Sequence, residues 1–157
     1  MSQLLNEKGL LEMSKADCAV GCFSSGFNCS QAVLSSFCEQ LGLDRDLALK
    51  LSCSFGGGMG RMAETCGAVT GAFMLIGLKH GKCRIGDDES KEKTYALVRD
   101  FAERFMGLNG SIKCKELLNC DMSTPEGMRY AKENGLWDKL CTKFIRDSVA
   151  IIEDLLQ

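Results

Sequence analysis

The chain has 157 residues, 45% hydrophobic and 25% charged, with a formal net charge of −2 at neutral pH. That length buries one core, so residues 1–157 read as a single domain that needs no disulfides to fold. Lys and Arg are scattered among the acidic residues without forming a basic stripe, which argues against nucleic acid as a partner.

From Met1 to Lys15 the leucines are interrupted by Asn6, Glu7, Lys8 and Glu12, so no apolar region of signal-peptide length is expected there, and the expected location is cytoplasmic. Leu10, Leu11, Met13, Ala16, Val20 and Phe23 recur at helical spacing and predict a first helix that stops at Ser24-Ser25-Gly26. Asn28 predicts the cap of a second helix that starts at Cys29 and ends at Gly42. Asp44 caps a short third helix with Leu47, Leu49 and Leu51, which stops at the glycine-rich Phe55-Gly56-Gly57-Gly58-Met59-Gly60.

Thr65 predicts the cap of a fourth helix, Cys66 to about His80. Its apolar run, Ala68 to Leu78, is broken by Thr70, Gly71 and Gly77 and falls short of the roughly 20 residues that cross a bilayer. It reads as a buried helix, with no direct membrane insertion. Gly67 and Gly71, four apart on one face, permit close approach of another backbone or a second subunit, the latter making a homodimer. Asp87-Asp88-Glu89 starts a fifth helix that ends by Gly110, and Ser111 caps a short turn holding Cys114. Thr124-Pro125 starts the next, which ends near Asn134-Gly135, and Asp138 caps the last, through Cys141 to Leu156. No segment alternates like a strand, and the expected fold is an all-α bundle of about six or seven helices.

In a reducing compartment ten cysteines do not imply a disulfide framework; they leave metal binding, redox chemistry or burial. Cys29, Cys66, Cys114 and Cys141 each fall in a predicted first helical turn, where free amides and the helix dipole favour thiolate, the form that attacks and ligates. Four such termini converging would make an anion-favouring pocket. Cys18 and Cys22 share a helical face and read as packing; Cys38 and Cys53 read as core, and Cys83 and Cys120 as exposed.

Gly26-Phe27-Asn28-Cys29-Ser30-Gln31-Ala32-Val33, the glycine loop, Cys66-Gly67-Ala68-Val69-Thr70-Gly71-Ala72, Cys114-Lys115-Glu116-Leu117-Leu118 and the Cys141 helix together resemble the C_GCAxxG_C_C family of redox-active proteins, over roughly Asp17 to Leu155. The resemblance implies a small helical protein whose four signature cysteines are Cys29, Cys66, Cys114 and Cys141. It also implies a functional link to a membrane transporter, and similarity to a domain of split-Soret cytochrome c, for which iron-sulfur binding has been suggested. The chain adds six further cysteines and lacks the CxxCH that attaches c-type haem.

Two functions follow. In one, a pair of thiols forms a reversible disulfide with an unidentified redox partner, with Cys66 attacking and Cys29 resolving. In the other, all four thiolates bind a metal centre, for which an iron-sulfur cluster suits helix ends better than zinc, whose close CxxC pairs are missing. A helical interaction scaffold is the bland third reading. Gly57, Gly58 and Gly60 of the loop, with Gly67 and Gly71, would let backbone approach a bound cofactor. No strand precedes Gly58-Met59-Gly60-Arg61-Met62-Ala63, which argues against a dinucleotide site. His80, the single histidine, is predicted about 20 Å from Cys66, which disfavours a Cys-His hydrolase, and its place at a helix end favours the cation.

Overall fold

The computed structural model describes residues 12–157, and every regular element in them is helical. Helices begin where the sequence supplies a cap. The Ser14 hydroxyl accepts the Asp17 amide at 3.0 Å to open α1 (Lys15–Ser24), so Met13, expected within the helix, precedes it and is exposed; Leu10 and Leu11 lie outside the described residues. Asn28 and Gln31 cap each other's backbone amides at the start of α2 (Cys29–Phe37), which tightens into a 3-10 turn (Glu39–Leu41) and stops at Gly42, φ +82°. Asp44 caps α3 (Arg45–Cys53). There follow a four-residue turn, α4 (Gly56–Met59), the buried α5 (Gly67–His80), and α6 (Asp88–Asn109), capped by Asp87. The last elements are α7 (Cys114–Leu118), α8 (Pro125–Glu133) capped by Thr124, a π-helical turn (Trp137–Cys141) and α9 (Thr142–Leu155).

The all-α bundle is therefore confirmed, with the short segment at Cys114 forming a helix of its own. Its centre is the contact of α2 with α5. A Cβ at Gly71 would lie 2.9 Å from the Ser30 carbonyl and 3.0 Å from the Val33 Cβ, so the two backbones meet where side chains are missing. On the other side, the buried Ser148 hydroxyl of α9 donates to the Ala68 carbonyl at 2.7 Å. Phe101 and Phe105 of α6 complete the core, ring on ring at 5.9 Å, with Phe73 of α5 edge-on to Phe101 and Phe144 of α9 beside Phe105. No helix of the described residues is long and apolar enough to cross a membrane.

The leucine stripe expected to anchor α3 is not its buried face. Leu47 and Leu51 are exposed, and Ala48 and Ser52 point inward. Small inward residues let α3 lie close to the first turn of α2, whose side chains reach across to it: Gln31 Nε2 donates to the Leu49 carbonyl and Asn28 Nδ2 to the Cys53 carbonyl, each at 3.0 Å. Cys53 is consequently exposed rather than core, while Cys38 is fully buried as expected.

The glycines of α5 give opposite expectations. Gly71→Ala gains helix propensity of about 1 kcal/mol, but the methyl meets α2 backbone, and overpacking costs about 1–3 kcal/mol. Urea unfolding should show a net loss for Gly71→Ala. Gly77, around which nothing lies within 4 Å, should stabilise as Ala by about 0.5–1 kcal/mol.

Candidate functional site

Four elements each deliver one cysteine to the same place. Cys29 is the first residue of α2, Cys66 the N-cap of α5, Cys114 the first residue of α7, and Cys141 the last of the π-turn. All four line one cavity of about 380 Å³. Cys29 is half-buried, and Cys66, Cys114 and Cys141 are buried.

Backbone pairing sets the positions of two of them. Thr65 and Lys113 form an antiparallel bridge, flanked by hydrogen bonds from the Cys66 amide to the Ile112 carbonyl at 2.7 Å and from the Cys114 amide to the Glu64 carbonyl at 2.6 Å. Alternation along extended backbone then puts Cys66 and Cys114 on one face, opposite Thr65 and Lys113. The chain reaches this bridge through a left-handed turn: Gly57, Gly58, Met59, Gly60 and Arg61 all have φ between +64° and +71°, and Ala63 has +58°. Such geometry costs about 1–2 kcal/mol for each non-glycine residue. Hydrogen bonds from the Ala63 and Glu64 amides to the Gly57 and Gly58 carbonyls hold it closed.

Glycines supply the remaining closeness. A Cβ at Gly58 would lie 2.7 Å from the Cys114 Cβ, and one at Gly67 would lie 3.1 Å from the Cys29 Cβ. Gly57, Gly58 and Gly67 line the cavity, as the cofactor-approach expectation requires; Gly60 and Gly71 do not, Gly71 serving the α2 contact instead.

The expected electrostatics are reversed. Burial pushes the Cys66 thiol up to about 12, against the opposing pull of the Ala68 and Val69 amides, and the Cys141 thiol adds to the rise. Burial, and then the charges of Cys66 and Cys141, push Cys114 up to about 12 as well. Cys29 is raised well above the ordinary thiol value, first by interaction with the Cys141 side chain, then by burial. Helix ends do not win here because desolvation of a buried thiolate outweighs a partial dipole charge. Two of the expected caps are also absent. Ser111 accepts the Lys113 amide instead of capping α7, and Asp138 lies inside the π-turn that runs unbroken into α9. Thr65 is displaced by one, since Cys66 itself occupies the cap position.

The other thiols are apart from the cavity lining. Cys18 is exposed, and Cys22 sits 3.6 Å from the Ser35 hydroxyl. Cys83 is exposed as expected. Cys120, expected exposed, is half-buried, and near enough to Cys114 and Cys141 for mutual charge repulsion. His80 closes α5 far from the sulfurs, and burial together with Lys93 and Lys79 lowers its pKa, so the neutral ring is favoured where the sequence predicted a cation.

Among the described residues no three thiol, carboxylate or imidazole groups are placed to hold a single metal ion. A lone tetrahedral zinc therefore does not fit these side chains. A two-iron cluster makes a different demand, because each iron draws on only two cysteines; the donor set offered by this cavity is four thiols and no imidazole.

Two results should follow for the reduced, metal-free protein. Because the folded state holds the Cys66 and Cys114 protons up to about 12, against 9.0 for an ordinary thiol, it binds more protons than the unfolded chain between those values. Stability should then fall as pH rises from 9.0 towards 12, and a Cys66→Ser, Cys114→Ser double variant should flatten that fall in urea titrations. Gly58→Ala, strained by φ +71° and by contact with Cys114, should lower stability by about 1–3 kcal/mol.

Residues 27–155 match the family model described as "Putative redox-active protein (C_GCAxxG_C_C)". No curated protein and no solved structure matches the chain. The family match runs from the loop before Cys29 to the end of α9 and takes in all four cavity cysteines, and on that coverage the chain belongs to the C_GCAxxG_C_C family.

Proposed function

We propose that the redox function resides in Cys29, Cys66, Cys114 and Cys141 acting together as ligands of an iron-sulfur cluster. The observation that supports this best is that four thiols from four separate elements line one cavity. A cluster held by four thiolates would supply one-electron chemistry. The chain's own part is to bind and to shield. Gly58 and Gly67 remove the side chains that would keep Cys114 and Cys29 from closing in, and burial of the other three sulfurs limits water. In the first turn of α5 the Ala68 and Val69 amides favour negative charge on the Cys66 sulfur. Since burial and neighbouring thiols hold Cys29, Cys66 and Cys114 protonated at neutral pH, ligation releases protons and becomes easier as pH rises.

A second reading is supported by Cys29 and Cys141 lining the same cavity, with Cys141 the foremost cause of the raised Cys29 thiol. Those two thiols would lose two protons and two electrons to a disulfide of a partner protein, forming their own disulfide and leaving the partner as a dithiol.

Anaerobic reconstitution with ferrous iron and sulfide should give brown protein containing iron and acid-labile sulfide, in higher yield at mildly alkaline than at neutral pH. Serine at any of the four positions should abolish the colour, whereas Cys53→Ser and Cys83→Ser should retain it. Colourless, iron-free protein that yields one Cys29–Cys141 disulfide on mild oxidation would replace the cluster with the second reading.

A further inference from the structure

The cavity is larger than its sulfurs require, and its outer wall is aromatic. At about 380 Å³ it falls within the range of roughly 300–1,000 Å³ occupied by small-molecule sites. Phe23, Phe27 and Trp137 line it, and among the described residues none of the three rings stacks on another aromatic side chain. Phe27 is exposed at 38%, and the Trp137 indole is fixed by donation of its Nε1–H to the Met122 sulfur at 3.3 Å. Unpartnered aromatic faces around such a space are matched by a flat apolar molecule.

Charge at the rim sets which end of that molecule faces where. Arg61 lines the cavity at the end of the left-handed turn, its stem lying over Gly57, where a Cβ would meet the Arg61 Cγ at 2.8 Å. Among the described residues it makes no ion pair. Asp138, beside Trp137, disfavours an anion on its own side. We propose that the outer part of this cavity binds a planar aromatic anion, with its rings against Phe27 and Trp137 and its acidic group at Arg61. Binding stands on the cavity alone; the consequence, a ligand seated beside redox-active sulfurs, rests on the proposed function.

Trp137 is the single tryptophan of the chain, so its fluorescence reports occupancy directly. Reduced, metal-free protein titrated with anthraquinone sulfonate, a planar anion that does not alkylate thiols, should show saturable quenching. Arg61→Gln should weaken the sulfonate about tenfold, the loss of one charge-assisted contact, while leaving neutral hydroxymethyl anthraquinone unchanged, and Arg61→Lys should recover part of the loss. Phe27→Ala should weaken both probes. Absence of saturable quenching, or affinities indifferent to both Arg61→Gln and Phe27→Ala, overturns the proposal. Because no iron is involved, failed cluster reconstitution with intact quenching would remove only the cluster, and the reverse result only this ligand site.

Discussion

The close approach of α2 and α5 is the constraint on which the rest of the molecule depends. Over one helical turn their backbones are separated by glycine alone: Gly67 faces the Ser30 amide and Gly71 the Ser30 carbonyl. This fixes the start of α2 beside the start of α5, and so Cys29 beside the entrance to Cys66. The buried Ser148 hydroxyl then ties α9 to the Ala68 carbonyl in the same turn. α9 in turn continues the π-turn that ends in Cys141. The interaction is short-ranged and steric, which suits a centre whose parts come from segments far apart in the chain.

Electrostatically the site is a place where a charge has been made expensive. The amides at the start of α5 favour negative charge, yet Cys29, Cys66 and Cys114 are raised because burial and the neighbouring thiols dominate. Free thiols in that setting are poor nucleophiles near neutrality, and the same amides become useful once an occupant removes the protons and shares the charge.

Much of this was legible in the sequence because it was local. Asn28, Asp44, Asp87 and Thr124 act within three or four residues of themselves, and each caps a helix in the structure. Cys29, Cys66, Cys114 and Cys141 were marked by their nearness to such starts and by family resemblance. What the sequence hid was non-local. Nothing in residues 63–66 announces pairing with 112–115, and that pairing displaced the expected cap at Ser111. Desolvation of the thiols, the inward face of α3 and the placement of Cys120 depend on neighbours that only the folded chain provides.

The π-turn at Trp137–Cys141 has a consequence for sequence change along this chain. A π-turn holds an extra residue relative to an α-turn, so deletion of one residue there would leave a helix fully able to form. The flanking segments would keep their relative phase, because the wide turn would close to an ordinary α-turn. What would change is the turn itself: the residues between Trp137 and Cys141 would be drawn in by one position, and the wall they form along the cavity would be redrawn while α9 stayed in place.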